Sequence, residues 1–225
     1  MNLKELVDEK HFPLWGMVAS LVGLVFILTP QLFYVGAEGE SFSMFNHTVS
    51  SLGELGVSEL AWMFNIGMVL AGFLFMPFMI GLGLYIDNIV SKITAVVGVY
   101  SAASIVFVGL YPVNYLYGHT ISAISFFLSR MVMTLFWGIA ILVQKEVRIH
   151  KGLSLGGFIN MVIFALFLYG PFGGIGGPRP EFSMRITLEW AIYFAIIGYL
   201  LVLSLYVWRK EKNVESPQET LSLQE

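Results

Sequence analysis

The sequence predicts an all-α protein, a polytopic integral membrane bundle of six transmembrane helices, and three observations lead to this fold class. Hydrophobic residues make up 57% of the 225 residues and charged residues only 12%, whereas an average soluble domain has roughly 45–50% and 25%. Stretches apolar enough to cross about 30 Å of hydrocarbon, roughly 20 residues each, occur six times. The segments between them are too short to form a separate soluble domain.

The six predicted spans follow one another with little chain between them. They cover residues 12–35, 60–86, 93–113, 119–144, 153–172 and 184–208. Residues 1–11 form a cytoplasmic N-terminal segment and residues 12–208 the transmembrane domain. Residues 209–225 contain too few apolar side chains to fold, so we predict a disordered cytoplasmic tail there. Two longer loops join the spans, one from Gly36 to Glu59 and one from Gly173 to Ser183.

Basic residues beside the spans predict the orientation, because Lys and Arg are retained on the cytoplasmic side of a membrane. Only Arg179 and Arg185 flank one side, whereas nine bases flank the other: Lys4, Lys10, Lys92, Lys145, Arg148, Lys151, Arg209, Lys210 and Lys212. We therefore expect a multi-pass protein of the cell membrane with both termini in the cytoplasm. The longer loops then face outward, together with aromatic residues that suit the interface, namely Trp62, Tyr111, Tyr115, Tyr117 and Trp190.

The charge balance and the lack of cysteine exclude several classes of function. Twelve Lys and Arg against fifteen Asp and Glu give a formal net charge of -3, and the bases are scattered, so nucleic acid is not an expected partner. A chain with no cysteine has no disulfide, no Cys-ligated metal and no thiol nucleophile. We predict no cofactor and no resident metal, and any metal site would need His and carboxylate ligands.

Arg130 is the most informative residue, because it lies about eleven residues, or roughly 16 Å, inside the fourth span. An Arg near the bilayer midplane costs about 2.5 to 3.5 kcal/mol, so its side chain should face the bundle interior and have a partner. We expect this partner to be Glu189, the only acid inside a predicted span. The pair would be either a structural salt bridge or part of a ligand site.

Further polar residues gather at the outer ends of the spans and form a candidate site. His119 and Arg130 share one face of the fourth span at three-to-four-residue spacing. The second, fourth and sixth spans all begin on the outer side, where free N–H groups and partial positive charge favour an anion. Each polar residue also has a structural explanation, since loop Ser residues form turns and a helix-start His often bonds to backbone. The candidates are His47, Ser50, Glu54, Asn65, His119, Arg130 and Glu189.

Four short motifs carry a resemblance to a known family. They are His47-Thr-Val-Ser-Ser-Leu-Gly53, Gly109-Leu-Tyr-Pro112, His119-xxx-Ala123-xx-Phe126 and Glu189-Trp190. In this order they resemble the prokaryotic six-helix membrane proteins called domain of unknown function 998. That family is distantly similar to the eukaryotic DRAM-like, Frag-like and Sfk-like membrane proteins. The resemblance covers nearly all of the membrane domain.

The resemblance implies a six-helix membrane fold and, through the eukaryotic relatives, some form of lipid handling. Those relatives are linked with GPI-lipid remodelling, lipid asymmetry at the plasma membrane and autophagy. By position, Ser50, His119 and Glu189 match polar positions of the motifs. The loop here reads Ser-Ser-Leu-Gly where the eukaryotic relatives look more like Ser-Asp-x-Gly, so the acid beside the Ser is missing.

Our first expectation is a non-enzymatic protein that binds lipid. In it, an anionic lipid head group would lie between the helices, held by Arg130, His119 and the helix N-termini. His47, Asn65 and Glu54 would complete this ligand-binding site.

Four other functions stay open. An outer-leaflet lipid hydrolase or acyl transferase would use Ser50 as nucleophile and His119 as base, with Glu54 or Glu189 orienting the His. A metal-dependent enzyme would draw its ligands from His47, His119, Glu54 and Glu59. A small transporter or channel would use intramembrane charges as relay or gating residues. In a scaffold, the polar residues would only hold the bundle together.

Overall fold

The structure, a computed structural model, describes residues 3–172 and 181–222. Within these residues, six helices are long and apolar enough to cross a membrane, which confirms the predicted fold class. They are α1 (Phe12–Leu32), α2 (Ala61–Ile86), α3 (Ile89–Leu110), α4 (Leu116–Leu142), α5 (Ser154–Tyr169) and α6 (Met184–Ser222). Most of the predicted Gly173 to Ser183 loop, including Arg179, lies outside the described residues.

Local sequence explains where several of these helices begin and end. Pro13 lies in the first turn of α1, where a missing N–H costs nothing. Asp87 ends α2 in the left-handed conformation, with a φ of 52°. Asn88 then starts α3 with a capping box, in which its Oδ1 accepts from the Ser91 N–H at 2.8 Å and its own N–H donates to Ser91 Oγ at 3.1 Å. This two-residue connection makes α2 and α3 an antiparallel hairpin.

The six helices form a closed ring. Each helix packs on the helices before and after it in the chain, and α6 closes the ring against α1. Glycines allow the backbones to approach closely at these interfaces. A Cβ on Gly72 of α2 would lie 2.7 Å from the Ala102 carbonyl oxygen of α3, and one on Gly157 of α5 would lie 2.6 Å from the Thr134 carbonyl oxygen of α4. The ring has a termini end, where α1 begins, and a loop end, where the α1–α2 loop lies.

Large side chains line the inside of the ring. Buried residues from non-adjacent helices meet there, as when the Arg130 side chain of α4 reaches the Phe75 ring of α2. Phe78, Met133, Trp137 and Phe164 are almost completely buried in the same core. The interior is therefore mostly apolar, and a charged side chain within it stands out.

The last helix extends beyond the predicted boundary. We predicted that the sixth span ends at residue 208, whereas α6 continues to Ser222. Contacts to the rest of the chain hold its first extra turn. The Tyr85 hydroxyl donates to Glu211 Oε1 at 2.6 Å, and Lys210 Nζ donates to the carbonyl oxygen of Arg148 at 2.9 Å. These interactions are tertiary and were invisible in the composition of the tail.

Candidate functional site

The predicted polar site is divided between three places in the structure. The first is the loop cap, which we define as residues 47–53 of the α1–α2 loop together with their contacts on α2 and α6. The second surrounds His119, at the turn between α3 and α4. The third is the ring interior around Arg130.

The serines of the loop cap form a capped turn. Residues Val49–Gly53 make a short 3-10 helix, and Thr48 caps it by accepting the Ser51 N–H on its Oγ1 at 3.2 Å. The hydroxyls of Ser50 and Ser51 lie 3.1 and 2.9 Å from the same Thr48 oxygen. Leu52 is fully buried and anchors the turn on the ring. The hydrogen bonds of this turn give the Ser-rich segment a structural role.

The Glu189-Trp190 motif of α6 holds the beginning of the loop cap. Glu189 Oε1 accepts a hydrogen bond from the Val49 N–H at 3.2 Å, and Trp190 Nε1 donates to the His47 carbonyl oxygen at 2.9 Å. The other carboxylate oxygen of Glu189 is buried without a partner among the described residues. The first and last motifs of the sequence therefore bind each other directly.

Asn65 of α2 holds the end of the loop cap. Its Nδ2 donates to the Gly53 carbonyl oxygen at 3.0 Å. A Cβ on Gly53 would lie 2.6 Å from Asn65 Oδ1 and 2.5 Å from the Phe64 ring, so a side chain at this position would displace both residues. Glu54 follows, half-buried, and its N–H donates to the Ser51 carbonyl oxygen at 3.3 Å.

His47 is built into the loop rather than aimed outward. Its side chain is 2% exposed, and its ring packs at 5.2 Å from Tyr34 and 5.1 Å from Phe42, between ring centroids. Nδ1 accepts the Ser43 N–H at 3.3 Å, and Nε2 lies 3.6 Å from Glu40 Oε1. These contacts fit a role in shaping the loop.

His119 lies apart from Ser50. Its Nδ1 lies 2.9 Å from the carbonyl oxygen of Tyr111, so the ring secures the turn between α3 and α4 and leaves Nε2 as an acceptor in the neutral form. Among the described residues, no hydrogen bond joins His119 to Ser50, Glu54 or Glu189. The catalytic assignment of Ser50 and His119 stays a prediction, without a nucleophile–base contact in this geometry.

The residues proposed for a metal-dependent enzyme do not come together either. Within residues 3–172 and 181–222, no three His, Asp or Glu side chains cluster closely enough to hold a metal ion. Glu59 Oε2 instead accepts the Val35 N–H at 2.9 Å.

Arg130 is buried in the ring interior, as predicted, but it is not paired with Glu189. Its side chain is 1% exposed, and its Cζ lies 5.2 Å from the centroid of the Phe126 ring and 5.8 Å from that of Phe75. Its only hydrogen bond to a described residue runs from Nη1 to Met133 Sδ at 3.7 Å, and Nε has no partner.

Helix geometry explains why the predicted pair does not form. Helix α4 begins at Leu116 rather than at residue 119, which places Arg130 about 21 Å below its loop end, whereas Glu189 lies only about 8 Å into α6. Helix α5 also stands between α4 and α6 in the ring. Two opposite charges are thus buried in separate places.

Sequence reasoning missed a groove on the outside of the ring. It lies between the loop-end halves of α3 and α4, has a volume of about 840 Å³, and we call it the tyrosine groove. The residues that line it are Tyr100, Ala103, Ser104, Phe107, Tyr111, Tyr115, Leu116, Tyr117, Gly118, Ile121, Ser122 and Ser125. Tyr111, Tyr115 and Tyr117 were the residues that could have indicated the groove. In the sequence they indicated only aromatic side chains at the membrane–water interface.

Comparison with known proteins confirms the family resemblance carried by the four sequence motifs. No curated protein and no solved structure matches the chain. The model of one family, described as protein of unknown function (DUF998), matches residues 17–209. The match begins within α1 and extends past residue 208 in α6, so it includes the loop cap, the tyrosine groove and Arg130. The chain therefore belongs to the DUF998 family of membrane proteins.

Proposed function

We propose that this membrane protein binds a lipid in the tyrosine groove. The observation that carries the proposal is the groove itself, a concavity of about 840 Å³ on two membrane-spanning helices. This volume lies within the roughly 300 to 1,000 Å³ of typical ligand clefts. Because the groove opens away from the ring, a lipid can enter it from the bilayer without opening the bundle.

The lining of the groove suits a hydrocarbon chain. Tyr100, Phe107 and Ile121 are 57, 49 and 49% exposed on helices that cross the membrane, so their side chains face lipid. The hydroxyls of Ser104 and Ser122 bond to carbonyl oxygens of their own helices, at 3.0 and 2.8 Å, and leave the groove surface largely apolar.

The loop end of the groove suits a polar head group. Tyr111, Tyr115 and Tyr117 form its rim, and tyrosine side chains favour the membrane–water interface, where the ring is in hydrocarbon and the hydroxyl is in water. Their hydroxyls make no hydrogen bond to a described residue, so they are available to a head group. No Lys or Arg is among the described residues that line the groove, so the groove favours hydroxyl or carbonyl head groups over strictly anionic ones.

This proposal moves the predicted lipid contact away from the loop cap. The sequence suggested that Arg130 and His119 hold an anionic head group together, but their contacts lie in different places. The hydrolase and transporter alternatives have no contact that favours them, since Ser50 bonds to Thr48 and Arg130 has no carboxylate partner among the described residues.

We further propose that the loop end faces out of the cell and that both termini are cytoplasmic. The excess of Lys and Arg near the termini end supports this orientation. Arg185, a base at the loop end, has a local explanation, because it donates to the carbonyl oxygens of Phe167 and Leu168 at the C-terminus of α5. The tyrosine groove then lies in the outer leaflet.

A groove-filling substitution tests the lipid proposal. We expect Ala103→Trp to fill the groove and to reduce the lipid that stays bound to the detergent-purified protein, measured by native mass spectrometry. Val25→Trp is the matched control, since Val25 is 43% exposed and both residues lie seven positions from the loop end of their helices. Equal lipid retention by both variants would contradict the proposal.

A further inference from the structure

The ring interior contains a cation whose charge nothing in the described part of the chain balances. Arg130 is 1% exposed, and the salt bridges of the described residues do not include it. Glu189, the acid predicted to balance it, bonds to the Val49 backbone at the loop end. A guanidinium keeps its charge at any physiological pH, so it cannot become neutral as a buried carboxylate can.

The contacts of Arg130 offset only part of the free-energy cost of burying its charge. The Phe126 and Phe75 rings lie 5.2 and 5.8 Å from Cζ, which is within the range of a cation–π interaction. A thioether sulfur is a weak acceptor, so the 3.7 Å contact to Met133 contributes little. Nε–H is buried and has no acceptor within residues 3–172 and 181–222. These contacts thus leave Nε–H without an acceptor among the described residues and give Nη1 only a weak one.

A buried guanidinium with an unpaired Nε–H and a weakly bonded Nη1 points to an oxyanion ligand. A planar guanidinium presents its donors as a fork that matches two oxygens of one phosphate or carboxylate group. Buried polar groups in folded proteins are normally paired, because an unpaired donor in an apolar interior is costly. We therefore propose that Arg130 binds an oxyanion of the phosphate type inside the ring, supplied either as free phosphate or as a phospholipid head group.

This site is independent of the tyrosine groove. On α4 the groove is lined by Gly118, Ile121 and Ser125, whereas Arg130 shares its face with Phe126 and Met133. Ser125 and Arg130 are five residues apart, which turns their side chains about 140° from each other. Because Arg130 is almost inaccessible, we expect the oxyanion to exchange slowly, through a movement of the helices or of the loop cap.

Thermal unfolding of the full chain in a neutral detergent tests the proposal. The wild type is compared in sodium chloride, in sodium phosphate of equal ionic strength, and with added phosphatidylglycerol or phosphatidylcholine. We expect phosphate or a phospholipid to raise the melting temperature by about 5 °C or more at saturation. Stabilisation by inorganic phosphate indicates a free anion. Stabilisation by phospholipid alone indicates a head group at Arg130 if Ala103→Trp retains it, and a lipid in the tyrosine groove if Ala103→Trp loses it. A wild type that responds to none of these additives would overturn the proposal.

Substitutions of Arg130 then test whether its charge causes the stabilisation by phosphate or phospholipid. Arg130→Met keeps the length of the side chain and removes the charge, so the variant should lose the response while remaining as stable as the wild type in chloride or becoming more stable. Arg130→Lys, which keeps the charge but not the fork, should respond more weakly and serves if the Met variant does not fold. An Arg130→Met protein that still responds like the wild type would refute the site.

The matched control is Trp137→Phe. Trp137 lies two turns from Arg130 on the same helix, is fully buried, and its Nε1 also lacks a partner among the described residues. Removing this neutral donor should leave the phosphate response intact, and its loss would show that general packing, rather than the charge of Arg130, causes the effect. Ala103→Trp should also keep the response, which separates this site from the lipid groove.

Discussion

At the scale of single residues, Gly109 shows how the lack of a side chain sets the distance between two helices. A Cβ at this position of α3 would lie 2.4 Å from the Asn65 carbonyl oxygen of α2. That oxygen belongs to a helix backbone, so it cannot move aside as a flexible side chain could. The glycine of the Gly-Leu-Tyr-Pro motif therefore has a packing role at the loop end of the ring.

We predict that Gly109→Ala destabilises the protein by about 1 to 3 kcal/mol, the usual cost of overpacking. Gly198→Ala is the control, because a Cβ on Gly198 in α6 would meet no atom within 4 Å. Alanine favours a helix over glycine, so this control should be neutral or slightly stabilising. Thermal unfolding in detergent measures both variants, and equal melting temperatures would count against the close approach.

For Arg130, the sequence predicted the burial of the side chain but not its contacts. Its burial followed from the cost of placing a charge in hydrocarbon, and the structure confirms it. Its partner could not be predicted, because the depth of a side chain depends on where its helix starts and on which helices are neighbours. A shift of three residues in the start of α4 and the position of α5 were enough to separate Arg130 from Glu189.

At the scale of elements, the loop cap is held in place mainly by the start of α6. Glu189 and Trp190 bind its first residues, and Asn65 binds its last. Val49 and Glu189 are 140 residues apart in the chain. Both motifs were visible in the sequence, but short motifs contain no information about which of them touch. The two motifs meet because α6 packs against α1 and closes the ring.

We predict that Glu189→Ala loosens the loop cap, because it leaves the buried Val49 N–H without an acceptor, at a cost of about 1 to 3 kcal/mol. Hydrogen exchange measured by mass spectrometry should then be faster in peptides that contain residues 47–53.

Glu189→Gln is the control for this prediction. Its amide oxygen can still accept the Val49 N–H, so exchange should stay near that of the wild type. Slow exchange in the Ala variant would mean that the other contacts hold the cap alone.

At the scale of the whole molecule, hydropathy predicted the six helices and their order, and the structure confirms both. The closed ring could not be predicted. In a membrane, the outer surface of a helix is as apolar as its buried surface, so the sequence lacks the amphipathic pattern that identifies the inner face of a soluble helix. The tyrosine groove was missed for the same reason, since its residues are lipid-facing.

We predict the orientation of the ring from its bases, and a cysteine-free chain makes the test direct. A membrane-impermeant maleimide applied to intact cells should label Glu38→Cys, in the α1–α2 loop. It should label Lys145→Cys, between α4 and α5, only after the cells are permeabilised. Both positions are exposed in the structure. The reverse labelling pattern would invert the proposed topology and place the groove in the inner leaflet.

The junction between α1 and α6 has a consequence for how the protein is made. The Tyr193 hydroxyl of α6 donates to the Gly23 carbonyl oxygen of α1 across 170 residues of sequence. These contacts cannot form before the last helix has been synthesised and inserted, so the nascent chain first exists as an open arc of five helices. Until α6 packs against α1, the ring interior that contains Arg130 is not fully enclosed. Closure of the ring by α6 is therefore the step that completes the burial of this charge.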